Sequence, residues 1–204
     1  MTVLGKYSPF SPANGAGPGY WVECDNPSDE PRTRQGVLLD CGSGVLANFQ
    51  EYVGCLSMIR VVALSHLHYD HIADATILRY AVSPDRRYRD LPGAVQVYAP
   101  ATPREEHDLF NYKAMSAHAV SQGDSIEVGE MRVTFFEVCH PIAGCAMRIQ
   151  SSSGIISYSG DTRRCDGILE AAMGADIFLC EASATEEDRE FAVAGHLTAR
   201  QAGR

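Results

Sequence analysis

The chain has 204 residues, of which 45% are hydrophobic and 21% charged, enough for one globular domain with a substantial core. Its formal net charge of −9 argues against broad, nonspecific attraction to nucleic acid. No apolar run approaches the roughly 18 residues of a membrane span, and seven cysteines without a CxxC pair fit reduced thiols in a cytoplasm better than a disulfide framework.

The start, Met1 to Lys6, lacks the basic end and apolar stretch of a signal peptide. Tyr7 to Gly19, rich in Pro, Gly, Ser and Asn, reads as a loop after a first short strand. Tyr20 to Glu23 and Gly36 to Asp40 read as strands flanking the polar stretch Asp25 to Gln35. Val45, Phe49 and Tyr52 recur at helical spacing, which predicts a helix over 45–52. The apolar run Arg60 to Leu64 predicts a strand, and His71 to Ala81 a helix that Asp70 is placed to cap.

Further along, Val95 to Tyr98 reads as a strand and a helix starts near Pro103. Ser125–Val128, Met131–Val138, Cys145–Ile149 and Ile155–Tyr158 read as successive strands, the last two joined by a hairpin at Ser151–Gly154. Asp166 to Ala172 reads as a helix, Asp176 to Leu179 as a buried strand, and Leu197 onward as a final helix. Arg86-Arg87-Tyr88-Arg89 reads as a solvated turn more than as a phosphate contact. Cys24, Cys55, Cys139, Cys145 and Cys165 read as small core or near-surface residues, and His107 as a solvated helix residue. His118, like His107, matches no motif.

Between the strand at 60–64 and the helix at 71–81 lies His66-Leu67-His68-Tyr69-Asp70-His71, four metal-ligand side chains in six residues. Neutral imidazole and carboxylate suit zinc and similar divalent ions. The spacing excludes the helical HExxH arrangement, whose histidines stand at i and i+4. Positions i and i+2 point the same way from an extended loop, so His66 and His68 are placed to grip one ion. Asp70 and His71, on the next bend, are placed to hold a second. Asp40, His140 and Asp161 each follow a strand too, and strand ends hold ligands in register.

The HxHxDH pattern resembles the metallo-β-lactamase superfamily. Asp40-Cys41-Gly42, His140, Ser159-Gly160-Asp161-Thr162 and Gly195-His196-Leu197-Thr198 follow in that family's order. Gly195–Ala199 resembles the HST motif of its ribonuclease Z and phosphodiesterase branch, and Cys180-Glu181-Ala182-Ser183 its HEAT motif, with Cys for His and Ser for Thr. The resemblance implies one domain over 1–204 with an α/β, four-layer αββα sandwich that stops short of its last strand and helix. It implies His66, His68 and His140 on one metal, Asp70 and His71 on a second, and Asp161 bridging. Asp40 would orient a ligand from behind the site.

Two divalent ions, zinc favoured over manganese, would make hydroxide available near neutral pH, with Asp70 orienting the water. His196, held cationic by Glu181, would protonate the leaving alkoxide. The family completes its second site with a later histidine that has no counterpart before Arg204, so the second metal is expected to bind weakly. The resemblance thus implies a metal-dependent hydrolase, foremost a phosphodiesterase acting on a small or cyclic-nucleotide phosphodiester. The alternative is a ribonuclease Z-type tRNA 3′-end endonuclease. It is disfavoured by the acidic balance and by the short interval from His140 to Asp161, where short bacterial ribonuclease Z enzymes carry a tRNA-gripping arm. Lactonases, arylsulfatases and β-lactamases share the ligands. A non-catalytic metal-binding module is the reading if the chain is complete. A cytoplasmic location, no membrane partner and a homodimer, common in this branch, complete the expectations.

Overall fold

A computed structural model describes residues 1–25, 34–82, 95–188, 190 and 194–204. The arginine cluster at 86–89 lies outside the described residues, as does most of the polar stretch after Asp25. Two sheets carry the structure. The first runs β1 (Thr2–Gly5), β2 (Gly19–Asp25), β3 (Arg34–Leu39), β4 (Val61–Ala63), β5 (Val95–Pro100) and β6 (Met115–Val120), in that order. The second runs β11 (Ile177–Leu179), β10 (Gly154–Tyr158), β9 (Cys145–Ser151), β8 (Met131–Glu137) and β7 (Ser125–Val128).

Strand alternation builds the layers. Along β3, Leu38 points to one face and Val37 and Leu39 to the other, as period-2 geometry requires. Leu38 joins Trp21, Val62 and Val97 under α1 (Val45–Tyr52) and α2 (Tyr69–Ala81), which contribute Phe49, Ile72 and Leu78. Trp21 meets Phe49 edge to face at 5.0 Å between ring centroids. Val37 and Leu39 instead join Val22, Val133, Phe135, Met147 and Ile149 between the two sheets. On the outer face of the second sheet, Ala171 of α4 (Asp166–Ala172) packs with Ala146 and Val138. The order is therefore helices, sheet, sheet, helix: the αββα sandwich. No helix of the described residues is long and apolar enough to cross a membrane.

Several sequence expectations need correction. Helix α2 starts at Tyr69, two residues earlier than expected, with His68 at its N-cap and no side-chain cap bond, so Asp70 sits in the first turn and does not cap. Strand β6 has no counterpart in the sequence reading; it is held by six parallel pairs with β5, from Val95↔Met115 to Pro100↔Val120. Strand β11 is not buried: it is an edge strand, and Ile177 is 46% exposed. His107, on the short α3 (Arg104–Asp108), is not solvated; its side chain is only 12% exposed and its Nε2 is buried without a partner among the described residues.

Candidate metal centre

Loops after β3 and β4 of the first sheet carry Asp40 and the 66–71 ligands, and loops after β8, β10 and β11 of the second carry His140, Asp161 and Glu181. After β3 the chain turns at Asp40, whose φ of +53° lies in the left-handed region that aspartate tolerates better than most residues. The following Gly42 packs its α-carbon against the backbone carbonyl of Asp70, and a Cβ there would collide with that oxygen. The close approach lets Cys41 N–H donate to His71 O at 2.8 Å, while Asp74 N–H donates to Cys41 O at 3.0 Å. Thus the 40–42 turn sets where α2 begins. After β4, the ligand loop is fastened to the second sheet by Cys145 N–H donating to Ser65 O at 2.8 Å. Gly160 adopts φ +57°, and its missing Cβ makes room for Ser65 on the way to Asp161.

Asp40 is buried behind the cluster and collects four donors. Ser65 N–H reaches Oδ1 at 2.7 Å. Ser65 Oγ at 2.8 Å, His71 Nδ1 at 2.7 Å and Tyr158 OH at 2.6 Å all reach Oδ2. With its own proton given to Asp40, Ser65 Oγ accepts from His66 Nδ1 at 3.0 Å. One carboxylate therefore orients two imidazoles, His71 directly and His66 through a hydroxyl. His140 Nδ1 donates to Gly195 O at 3.1 Å.

These bonds leave the other nitrogens facing one another. His66 Nε2 and His140 Nε2 each lie 3.1 Å from His68 Nδ1. Three neutral imidazoles cannot all satisfy one another this way, because with Nδ1–H committed elsewhere both Nε2 atoms present lone pairs. His71 Nε2, buried and without a hydrogen bond among the described residues, faces Asp161 Oδ2 at 3.5 Å and Asp70 Oδ2 at 3.6 Å. Asp161 Oδ2 is also 3.9 Å from His66 Nε2 and 3.8 Å from His196 Nδ1, so it stands between His66, His71 and His196. His196 Nδ1 lies 3.2 and 3.3 Å from the two oxygens of Glu181, whose Oε1 also accepts from Thr162 N–H.

Among the described residues three overlapping sets of side chains have the spacing to hold an ion: His66, His68 and His140; His66, His71 and Asp161; and Asp161, Glu181 and His196. The donors are imidazole nitrogen and carboxylate oxygen, the set that suits zinc and its neighbours. Converging lone pairs and the orphaned His71 Nε2 fit a divalent ion.

Electrostatics point the same way. Burial, with His71 close by, pushes the His66 pKa well below the imidazole range; burial also lowers that of His140. Burial works against a charged His71 as well, but Asp40 and Asp161 outweigh it and raise its pKa to about 10. Asp161, despite burial, is held below the carboxylate range by His71. The negative charge gathered here favours a cation at the centre. His196 also opposes its burial, with Glu181 raising its pKa.

The cluster opens into a cavity of about 760 Å³. The N-terminal loop lines it with Lys6, Tyr7 and Ser8, and the end of β11 with the segment after it lines it from Phe178 to Ser183. Of the nine residues named from the sequence as a site, His68, Asp70, His71, Asp161, Glu181 and His196 line this cavity, while His66 and His140 contact His68 and Asp40 backs His71. Ser65, Tyr158 and the Gly195 carbonyl were not named. Ser8 was missed too: its hydroxyl donates to Asp70 Oδ2 at 2.7 Å across 62 positions of sequence.

A family model described as the beta-lactamase superfamily domain matches residues 35–204. The chain belongs to this superfamily. Among its members, the probable metallo-hydrolase YhfI of Bacillus subtilis (strain 168) is 30% identical over 205 residues, spanning 100% of this chain and 80% of YhfI. Uncharacterized protein ML1173 of Mycobacterium leprae is 34% identical over 224 residues, spanning 100% of this chain and 72% of its own. The crystal structure of YhfI, a metallo-beta-lactamase fold protein, aligns with a TM-score of 0.83 at 29% identity, over 100% of this chain and 78% of that one. Human tRNase Z, short form, aligns at 0.75 with 18% identity, over 99% and 85% of the two chains, a likeness of fold. The expected metallo-β-lactamase architecture is therefore the observed one.

Proposed function

We propose that the chain is a metal-dependent hydrolase of the superfamily, and that it cleaves small phosphodiesters. His66, His68 and His140 would hold one divalent ion, and His71, Asp70 and Asp161 a second, with Asp161 shared. Bound ions supply Lewis acidity and bring the pKa of water toward neutrality. Behind them, Asp40 fixes His71 and, through Ser65, His66, so that Nε2 of each faces the centre. Asp70, steadied by Ser8, lines the cavity where water and ester meet and is the group to orient the attacking water.

The observation that carries the substrate class is the His196–Glu181 pair at 3.2 Å, set in the same cavity as the cluster. Nδ1 is committed to Glu181, so the proton for a leaving group is carried on Nε2. A charged imidazole held ready in this way serves an alkoxide, which leaves poorly without a proton.

The choice of a small diester over precursor tRNA rests on the interval between His140 and Asp161. There β9, β10 and their tight turn take up the chain, and the formal net charge of the chain is −9. The test is a side-by-side assay of cyclic nucleotides and precursor tRNA with the zinc- and the manganese-loaded protein. Preferred turnover of the cyclic nucleotides supports the reading; comparable or better cleavage of precursor tRNA reverses the order.

A further inference from the structure

The cavity faces an electrostatic difficulty. Asp70, Asp161 and Glu181 line it, in a chain of net charge −9, yet the proposed substrate is an anion. Lys6 is the one lysine or arginine among the described residues that line the cavity. Among the described residues no carboxylate lies within ion-pair distance of its ammonium, whose recorded neighbour is the Tyr7 ring at 5.7 Å to the centroid.

The loop that carries Lys6 is tied down at both sides. Backbone N–H groups of Lys6 and Tyr7 both donate to Ala16 O at 3.1 Å. Two residues on, Ser8 Oγ is bonded to Asp70. Backbone bonds and the neighbouring Ser8–Asp70 bond thus fix where Lys6 is rooted. A flexible ammonium on a fixed base, lining the same cavity as Asp70, Asp161 and His196, is a means of capturing an anion.

We infer that Lys6 is a substrate-binding residue that pairs with the charge of an anionic ester and so selects phosphodiesters over neutral esters. The inference rests on the proposed diesterase reading. Tyr7 and Val3, lining the same cavity, offer the apolar surface against which the rest of a small diester lies.

The test compares wild type, Lys6→Ala and Lys6→Arg, all metal-loaded, on bis-p-nitrophenyl phosphate and on the neutral p-nitrophenyl acetate. Lys6→Ala is expected to raise KM for the diester about two- to fivefold with kcat nearly unchanged, since a partly solvated ion pair carries only modest energy. The difference should shrink in high salt as the charge is screened. Lys6→Arg should restore most of the affinity, and KM for the acetate should not move. An unchanged diester KM, or equal effects on both esters, overturns the assignment of Lys6.

Calorimetric binding of inorganic phosphate to the same proteins separates this inference from the reading beneath it. If the wild type hydrolyses no diester, the diesterase reading falls. Weaker phosphate binding by Lys6→Ala would then still support Lys6 as an anion contact, and equal binding would overturn it.

Discussion

Asp40 Oδ2 accepts a hydrogen bond from His71 Nδ1 at 2.7 Å, with the carboxylate fully buried and the imidazole 1% exposed. The bond settles which nitrogen of His71 faces the centre. Replacing Asp40 by Asn keeps the volume but removes the charge and sets an amide among four donors. Asp40→Asn is expected to weaken divalent metal binding by about 10- to 100-fold, the usual cost of losing a carboxylate behind a ligating histidine. Competition against a chromogenic chelator measures it, and wild-type affinity in the variant would contradict this role.

Gly42 offers a second, purely steric test. A methyl group there collides with the Asp70 carbonyl, a backbone atom that cannot swing away. Gly42→Ala should cost about 1–3 kcal/mol of stability, the range for overpacking a close contact. Denaturant titration gives this value. Because the collision displaces the start of α2, metal affinity should fall with stability. An alanine variant as stable as wild type would show that the approach at Gly42 is not needed.

The sequence made the ligand loop legible because its signal is local: an apolar strand, then His66, His68, Asp70 and His71. The supporting bonds are not local. Tyr158 reaches Asp40 across 118 positions and Ser8 reaches Asp70 across 62, so nothing near either residue in sequence announces the partner. Strand β6 escaped because Met115-Ser116-Ala117-His118-Ala119-Val120 has one β-branched residue; its pairing with β5, and not its own preference, makes it a strand. Strand β11 misled in the opposite sense. Ile177-Phe178-Leu179 is an apolar run of the kind found in buried strands, but it sits at a sheet edge.

General-acid chemistry makes a prediction that depends on the leaving group. His196→Ala should slow hydrolysis of an alkyl phosphodiester by about 10²–10⁴-fold, the range for a lost proton donor. Its effect on a p-nitrophenyl diester should be far smaller, because p-nitrophenolate departs without a proton. Glu181→Gln should follow the same pattern more weakly. Steady-state rates on the two substrates decide the matter, and equal losses on both would point to a structural role for the pair.

The thiols titrate in an order set by their surroundings. Cys55 is exposed, and the Ser57 hydroxyl and backbone amide hold its pKa below the usual thiol value. Burial, with Glu181 nearby, pushes Cys180 up to about 11. Burial also raises Cys145 and Cys41, with Asp40 adding to both. A lower pKa means more thiolate at a given pH, so the alkylation rate of Cys55 should rise at lower pH than that of a free thiol. Iodoacetamide at neutral pH should label Cys55 ahead of Cys180, and reach Cys41 and Cys145 only on unfolding. Mass spectrometry of timed aliquots reads the order, and early labelling of Cys41 or Cys145 would contradict it.

The central claim is metal-dependent hydrolysis of a phosphodiester at the His/Asp cluster. The most direct measurement is hydrolysis of bis-p-nitrophenyl phosphate by the metal-loaded protein, the chelator-stripped protein and a metal-loaded Asp70→Ala variant. The account predicts turnover in the first, none in the second until zinc or manganese is restored, and a loss of about two orders of magnitude or more in the third. Undiminished hydrolysis by the stripped protein or by Asp70→Ala, or no hydrolysis by the loaded wild type, would contradict it.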